Sequence, residues 1–261
     1  MTDTSVRQID RLLAIMKRLR DPETGCPWDI VQTPASIAPF AIEEAYEVMD
    51  AIAHNDHAAI PDELGDLLLQ VVYQAQMAEE AGQFDFETVA KLIADKMVRR
   101  HPHVFGDETG HSLAIWEQRK EEERRAKSEH GALAGIPLHL PALLKAAKLC
   151  NRAARVGFDW AEPAEVLDKV HEEIAELKAE LGGDRDRIED ELGDVLFTVA
   201  SLARKLDIDP EAALRRSNAK FTGRFETMES MLAEEGKVMR EQDLQTLEAL
   251  WQKAKQKPGL R

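Results

Sequence analysis

The pentapeptide Asp-Glu-Leu-Gly-Asp occurs twice in the chain, at Asp62 to Asp66 and at Asp190 to Asp194, each time downstream of a Glu-Glu-x-x-Glu cluster. The first copy offers Glu43, Glu44, Glu47, Glu63 and Asp66; the second offers Glu172, Glu173, Glu176, Glu191 and Asp194. Positions three apart on a helix share a face. Glu44 therefore points with Glu47 and Glu63 with Asp66, and Glu173, Glu176, Glu191 and Asp194 repeat the pattern. Two such helices packed antiparallel make four carboxylates converge, and like charges that close repel unless something positive stands between them. Oxygen-only donors select a hard cation, most naturally Mg²⁺ or Mn²⁺.

With 49 Asp and Glu among 261 residues, a lone Glu-Glu-x-x-Glu run reads as a solvated helix face. Repetition and setting argue for more. The acids lie among Leu64, Leu67, Leu68 and Leu69 in one copy and Leu192, Val195, Leu196 and Phe197 in the other. Embedded in such a run they face partly inward, where an unpaired charge is costly. Gly65 and Gly193 interrupt the same helices at about 1 kcal/mol each relative to alanine, a cost that a close backbone approach would justify.

The elements that must position these acids are repeated too. Lys96 and Arg100 correspond to Lys220 and Arg224, a spacing of four that keeps both cations on one helical face. Leu113, Trp116 and Lys120 correspond to Leu247, Trp251 and Lys255, and Gly25 and Trp28 correspond loosely to Gly157 and Trp160. An exposed basic face is the plain alternative for Lys96 and Arg100, and core packing for the tryptophans. Apolar residues recur at helical intervals, as in Ile9, Leu12, Leu13, Met16 and Leu19, while strand-like alternation is scarce. "HNDHAAIPD" and "GGDRD" separate the acidic helices of the two copies, and Asp209-Pro210 reads as an N-cap followed by proline at the first helical position. The fold class is all-α, a tandem repeat of two helical-bundle domains.

The stretch "EEERRAKSEHGALAGIPLHLP" passes from a charged run through two glycines to two prolines, which favours a linker. The boundary is placed near residue 130, giving domains 1–130 and 131–261. Each half is close to the commonest domain size. The apolar segment Val195 to Ala203 offers more surface than one helix partner covers, which predicts a symmetric homodimer, unless the two halves pair within one chain. No apolar stretch approaches the roughly 20 residues of a bilayer span, and "MTDTSVRQIDR" lacks a signal-peptide core, so a soluble, intracellular chain is expected. Cys26 and Cys150 are too few for a disulfide framework, and His101-Pro102-His103 lacks the further ligands of a zinc site. A net charge of −15 without a basic stripe argues against polymeric nucleic acid as partner.

As a set, "EEAYEVMD" with "DELGDLL", and "EEIAELKAE" with "IEDELGDVL", each followed by a Lys/Arg helix, resemble the all-α nucleoside triphosphate pyrophosphohydrolases. The tandem arrangement with "GCPWD" and "RRHPHVFG" is similar to the two-domain bacterial members of that family, across essentially the whole chain. The resemblance implies Mg²⁺-dependent cleavage of nucleoside triphosphates to the monophosphate and pyrophosphate, with broad base tolerance, by a cytoplasmic homodimer. It implies metal ligands at Glu173, Glu176, Glu191 and Asp194, and nucleotide contacts at Lys169, Arg187, Lys220, Arg224 and Trp251. Glu44, Glu47, Glu63 and Asp66 form a second set. The resemblance further implies that the C-terminal copy carries most of the turnover, the N-terminal one being structural or regulatory.

The chemistry such a site permits follows from the charges. An acidic protein holds a triphosphate through divalent cations that bridge carboxylates and phosphate oxygens, and the same ions activate a bound water. Lys220 and Arg224 would stabilise the departing pyrophosphate, Arg by bidentate contact. Glu172 or Glu176 would take the proton from the attacking water; a ligand and a general base look alike in sequence. Trp251 would stack on any base or pack in a core. The rivals are a pyrimidine-restricted relative and a regulatory protein that binds nucleotide without turnover; the retention of every carboxylate in both copies disfavours the latter.

Overall fold

The computed structural model describes residues 7–106 and 131–257, and among them there are helices and connecting turns but no strand. The chain divides into two compact units, Met1–Arg119 and Lys120–Arg261. The expected linker centre near residue 130 lies outside the described residues, as do Leu113, Trp116 and Lys120.

The first unit runs α1 (Gln8–Leu19), α2 (Pro27–Ile30), α3 (Pro34–Ala53), α4 (Ile60–Glu80), α5 (Phe86–Arg100) and α6 (Pro102–Phe105). Thr33 and Ser36 close a reciprocal capping box at the start of α3, and Asp85 caps α5 through the Thr88 amide. The apolar stripe of α1 packs as expected: Met16 is buried with Ile37, Val72, Tyr73 and Met77, and Ile9, Leu12 and Leu13 lean on that cluster. Helices α3 and α4 run antiparallel, since Gln70 of α4 reaches Glu44 while Gln74 reaches back to the Pro34 carbonyl. At the far end of α4, Arg20 pairs with Glu80 at 2.7 Å and donates to the Asp29 carbonyl, to which Tyr73 also donates.

The second unit runs α7 (Ala142–Arg155), α8 (Pro163–Glu180), α9 (Arg185–Lys205), α10 (Pro210–Glu234), a short 3-10 turn (Met239–Glu241) and α11 (Leu244–Ala254). Asp184, Asp209 and Asp243 cap α9, α10 and α11, and Pro210 opens α10 as its sequence suggests. Its fastening has different chemistry: Arg204 and Lys205, at the end of α9, both bond Asp159. Helices α10 and α11 build a cluster of their own from Met228, Leu232, Leu250 and Ala254, with Trp251 and Leu247 against it.

One expectation is overturned and one open alternative is excluded. A Cβ placed on Gly65 or Gly193 would meet no atom of the described residues within 4 Å beyond its own helix turn, so no described backbone crosses either helix there. Both glycines lie on the exposed side, between Leu64 and Leu68 and between Leu192 and Leu196. Trp28 is 54% exposed and outside the core, because its short helix turns it outward; Trp160 is half-buried.

Candidate active site

The same device assembles the acids in each unit. Glu44 comes from the middle of α3, and Glu63 and Asp66 from the first turns of α4; one carboxylate oxygen of each lies within 4.8 Å of the others. In the second unit Glu173 of α8 meets Glu191 and Asp194 of α9 within the same distance. The short turn between each antiparallel helix pair makes this possible, returning the chain so that the first turns of one helix face the middle of the other. Glu173 is buried and Glu44 half-buried, while Asp66 and Asp194 at the mouths are exposed.

Glu47 and Glu176, one turn beyond Glu44 and Glu173, stand outside these tight sets but touch them. Burial, a hydrogen bond with Glu47 and the charge of Asp66 push Glu44 above the ordinary carboxylate range. Glu63 rises as well, through burial and then the charges of Glu47, Asp62 and Asp66. Glu176 is raised by its hydrogen bond with Glu173 and then by burial, against the opposing pull of Lys169. Carboxylates crowded this closely favour a positive charge among them. Mg²⁺ holds oxygens at about 2.1 Å, so that opposite ligands stand roughly 4.2 Å apart. Carboxylates already within 4.8 Å reach that geometry by small side-chain rotations. The donor sets, all oxygen, fit a hard divalent cation.

The cations are placed unequally. Lys169 of α8 bonds Glu172 Oε1 at 2.7 Å and Glu173 Oε1 at 2.9 Å, which holds its ammonium strongly protonated. Arg187 turns to Glu180 across the α8–α9 turn, at 2.6 Å, rather than to the converging acids one turn ahead of it. Lys220 and Arg224 lie one turn apart on α10, and the Arg224 guanidinium sits over the Trp251 ring, 5.4 Å from its centroid. Phe221 tilts against the same ring at 5.2 Å, so Trp251 carries Arg224 on one side and joins the α10–α11 core on another. Lys96 and Arg100 hold the matching places on α5.

One contributor escaped the sequence reading. Gln70, buried on α4, donates Nε2–H to Glu44 Oε1 at 3.3 Å, and its own Oε1 has no hydrogen-bond partner. The signal was present: a lone amide inside the apolar run "LLLQVVY" must be satisfied by something polar.

A model of the MazG nucleotide pyrophosphohydrolase domain matches the chain twice, over residues 32–105 and 161–229, each match enclosing one acidic set. The nucleoside triphosphate pyrophosphohydrolase of Escherichia coli is 51% identical over 96% of this chain and 98% of its own length. The nucleoside triphosphate pyrophosphohydrolase/pyrophosphatase MazG of Thermotoga maritima is 43% identical over 94% of this chain and 95% of its own. The uncharacterized protein YabN of Bacillus subtilis is 42% identical over 93% of this chain, which spans half of that protein.

Proposed function

The chain belongs to the MazG nucleotide pyrophosphohydrolase family, as a nucleoside triphosphate pyrophosphohydrolase, and from that premise we propose a Mg²⁺-dependent hydrolysis that runs mainly in the second unit. Its substrates are ribo- and deoxynucleoside triphosphates of broad base range, cleaved to the monophosphate and pyrophosphate, and Mn²⁺ substitutes for Mg²⁺. The observation that carries this reading is the convergence of Glu173, Glu191 and Asp194 beside a lysine that can turn to an anion.

Glu173, Glu191 and Asp194 would hold the cation, with Glu176 one turn beyond as a further ligand, and the ion when bound would supply an activated water and offset charge on the phosphate oxygens. Glu172 or Glu176, the two carboxylates of α8 beside the tight set, takes the proton of the attacking water. Water forms a bond to phosphorus as the anhydride bond breaks, and the pyrophosphate leaves toward Lys220 and Arg224. Trp251 fixes the plane of the Arg224 guanidinium by lying beneath it. Lys169 and Arg187 meet the nucleotide from the α8–α9 side after leaving their carboxylate partners. The first unit's Glu44, Glu47, Glu63 and Asp66 form a structural or regulatory cation site.

The assembly is a homodimer, and the protein works in the cytoplasm. Leu64, Leu68 and Val71 on α4, and Leu192, Leu196 and Val199 on α9, stand at least 39% exposed, and a second copy would cover such stripes. No described helix is long and apolar enough to cross a membrane. A panel of triphosphates assayed for pyrophosphate with and without Mg²⁺ tests the reaction. Release of orthophosphate and diphosphate, or turnover unaffected by chelator, would refute it. Light scattering at micromolar concentration tests the dimer, and a stable monomer would count against it.

A further inference from the structure

The repeat matches α8 to α3 residue for residue through the acids: Pro163 with Pro34, Glu172 with Glu43, Glu173 with Glu44. At the place of Lys169 the first unit has Phe40. The buried glutamate of each site therefore has a different companion. Glu173 accepts from an ammonium on its own helix at 2.9 Å, and Glu44 accepts from the neutral amide of Gln70 on the neighbouring helix at 3.3 Å. Within otherwise matching sets, the second site contains an ammonium on its own helix where the first has a phenyl ring.

Resting on the metal reading of both sites, we infer that Lys169 sets the order in which the second site is filled: it opposes the bare cation and admits it together with nucleotide. The groups facing its ammonium are Glu172, Glu173 and Glu176, all on α8. A divalent ion bound among Glu173, Glu191 and Asp194 would compete with that ammonium for the same buried carboxylate, which Lys169 holds at 2.9 Å. The Lys169 side chain is one-third exposed whereas that of Glu173 is only 8% exposed, so the lysine is the partner able to leave. Free of Glu173, it would keep only the solvent-exposed Glu172, a weaker pairing than the one with the buried carboxylate. A triphosphate supplies a second, multiply charged anion, and its oxygens would take over the ammonium as the cation takes over the carboxylates. Each ligand then tightens the other, reciprocally. At the first site Phe40 stands in place of that lysine, and Gln70 remains compatible with a metal-bound Glu44. The first site fills with the bare cation and the second with the cation–nucleotide complex.

The test is a Mn²⁺ titration of the full chain, with free Mn²⁺ read by electron paramagnetic resonance. Glu63→Gln isolates the second site and Glu191→Gln the first. Without nucleotide, the Glu191→Gln chain should bind Mn²⁺ the more tightly of the two. Adding Lys169→Met to Glu63→Gln should tighten bare Mn²⁺ roughly tenfold, the scale of removing one charge near a divalent ion in a watery setting. A non-hydrolysable triphosphate should tighten Mn²⁺ in Glu63→Gln several-fold more than in the double variant. The reciprocal change, Phe40→Lys in the Glu191→Gln chain, should weaken Mn²⁺ at the first site. Unchanged or weakened Mn²⁺ binding on loss of Lys169 overturns the inference while leaving the metal sites standing. Mn²⁺ binding indifferent to both Gln substitutions overturns the metal reading itself, and the inference with it.

Discussion

The buried glutamate of the first site leans on a neutral amide and that of the second on an ammonium, although the carboxylates around them correspond one to one. The difference teaches that a duplicated site can keep its ligands and still diverge in the charge that surrounds them. Where the amide stands, Glu44 and Glu63 are pushed upward by burial and then by their acidic neighbours. Where the ammonium stands, part of that repulsion is answered inside the protein, since Lys169 pulls Glu176 back down. The units also differ in how they are tied: Arg20 with Glu80 in the first, Asp159 with Arg204 and Lys205 in the second.

The largest contrast should appear in turnover. Glu191→Gln is expected to lower kcat/KM for pyrophosphate release by about 100-fold or more, the scale of losing one charged metal ligand, whereas Glu63→Gln should cost less than about threefold. The reverse result would exchange the roles of the two units, and equal losses would mean two working or coupled sites. Next comes stability. Asp159→Ala leaves Arg204 and Lys205 largely buried without their carboxylate and should cost about 3 kcal/mol in urea unfolding. Glu80→Ala, whose carboxylate is more exposed, should cost about 1 kcal/mol. Arg204, and then Lys205, hold Asp159 below the usual carboxylate range. Its contribution is therefore full above the unfolded value of about 3.9 and lost as pH falls through the depressed native one. An Asp159→Ala penalty that persists unchanged into strong acid would remove the ion pair as its cause.

Smaller still is the effect of filling the two glycines. With nothing near their missing side chains, Gly65→Ala and Gly193→Ala should each gain about 0.5–1 kcal/mol of helix stability when the chain is monomeric. A loss at either position, dependent on protein concentration, would place a second copy's backbone against that helix and sharpen the dimer proposal. The smallest expected effect is one of pH. Glu44 and Glu63 are raised in the folded chain, so what they cost grows as pH rises from the unfolded value of about 4.3 through their native values. In chelator the first unit's melting temperature should drift down across that window. Mn²⁺ or the change Glu63→Gln should flatten the drift, and calorimetry showing the same slope in all three would dissociate it from these acids.

The helices and the converging acids were legible because both rest on local spacing. Carboxylates three apart, a stripe of Ile9, Leu12, Leu13 and Met16, and breaks at "HNDHAAIPD" and "GGDRD" each fix structure within a few turns of chain. The fastenings were not legible, since Arg20 meets Glu80 and Asp159 meets Arg204 only after the helices have packed. Arg187 shows the limit at short range: it lies beside the acids in sequence, yet Glu180 across the turn takes it. The two glycines misled because a close backbone approach was inferred from their cost to the helix alone, while they lie on exposed faces; core packing, the plain alternative for Trp28, fails because that ring is exposed.

Both fastenings lie at the ends of α4 and α9 remote from the acids, with about 25 Å of helix between Glu63 and Glu80 and about 20 Å between Glu191 and Arg204. The opposite ends, where the carboxylates converge, are held by short turns and by weaker ties, the exposed Arg187–Glu180 pair in the second unit and the Gln70–Glu44 bond in the first, and are pressed apart by charge. Each antiparallel pair is therefore anchored at one end and loose at the other, so local opening should begin at the acidic turns and die out toward the anchors. Amide exchange would read this as a gradient, fastest in the first turns of α4 and α9. A cation bound at the acids would close the loose end, so that the groups that hold the substrate also finish the folding of the helices that carry them.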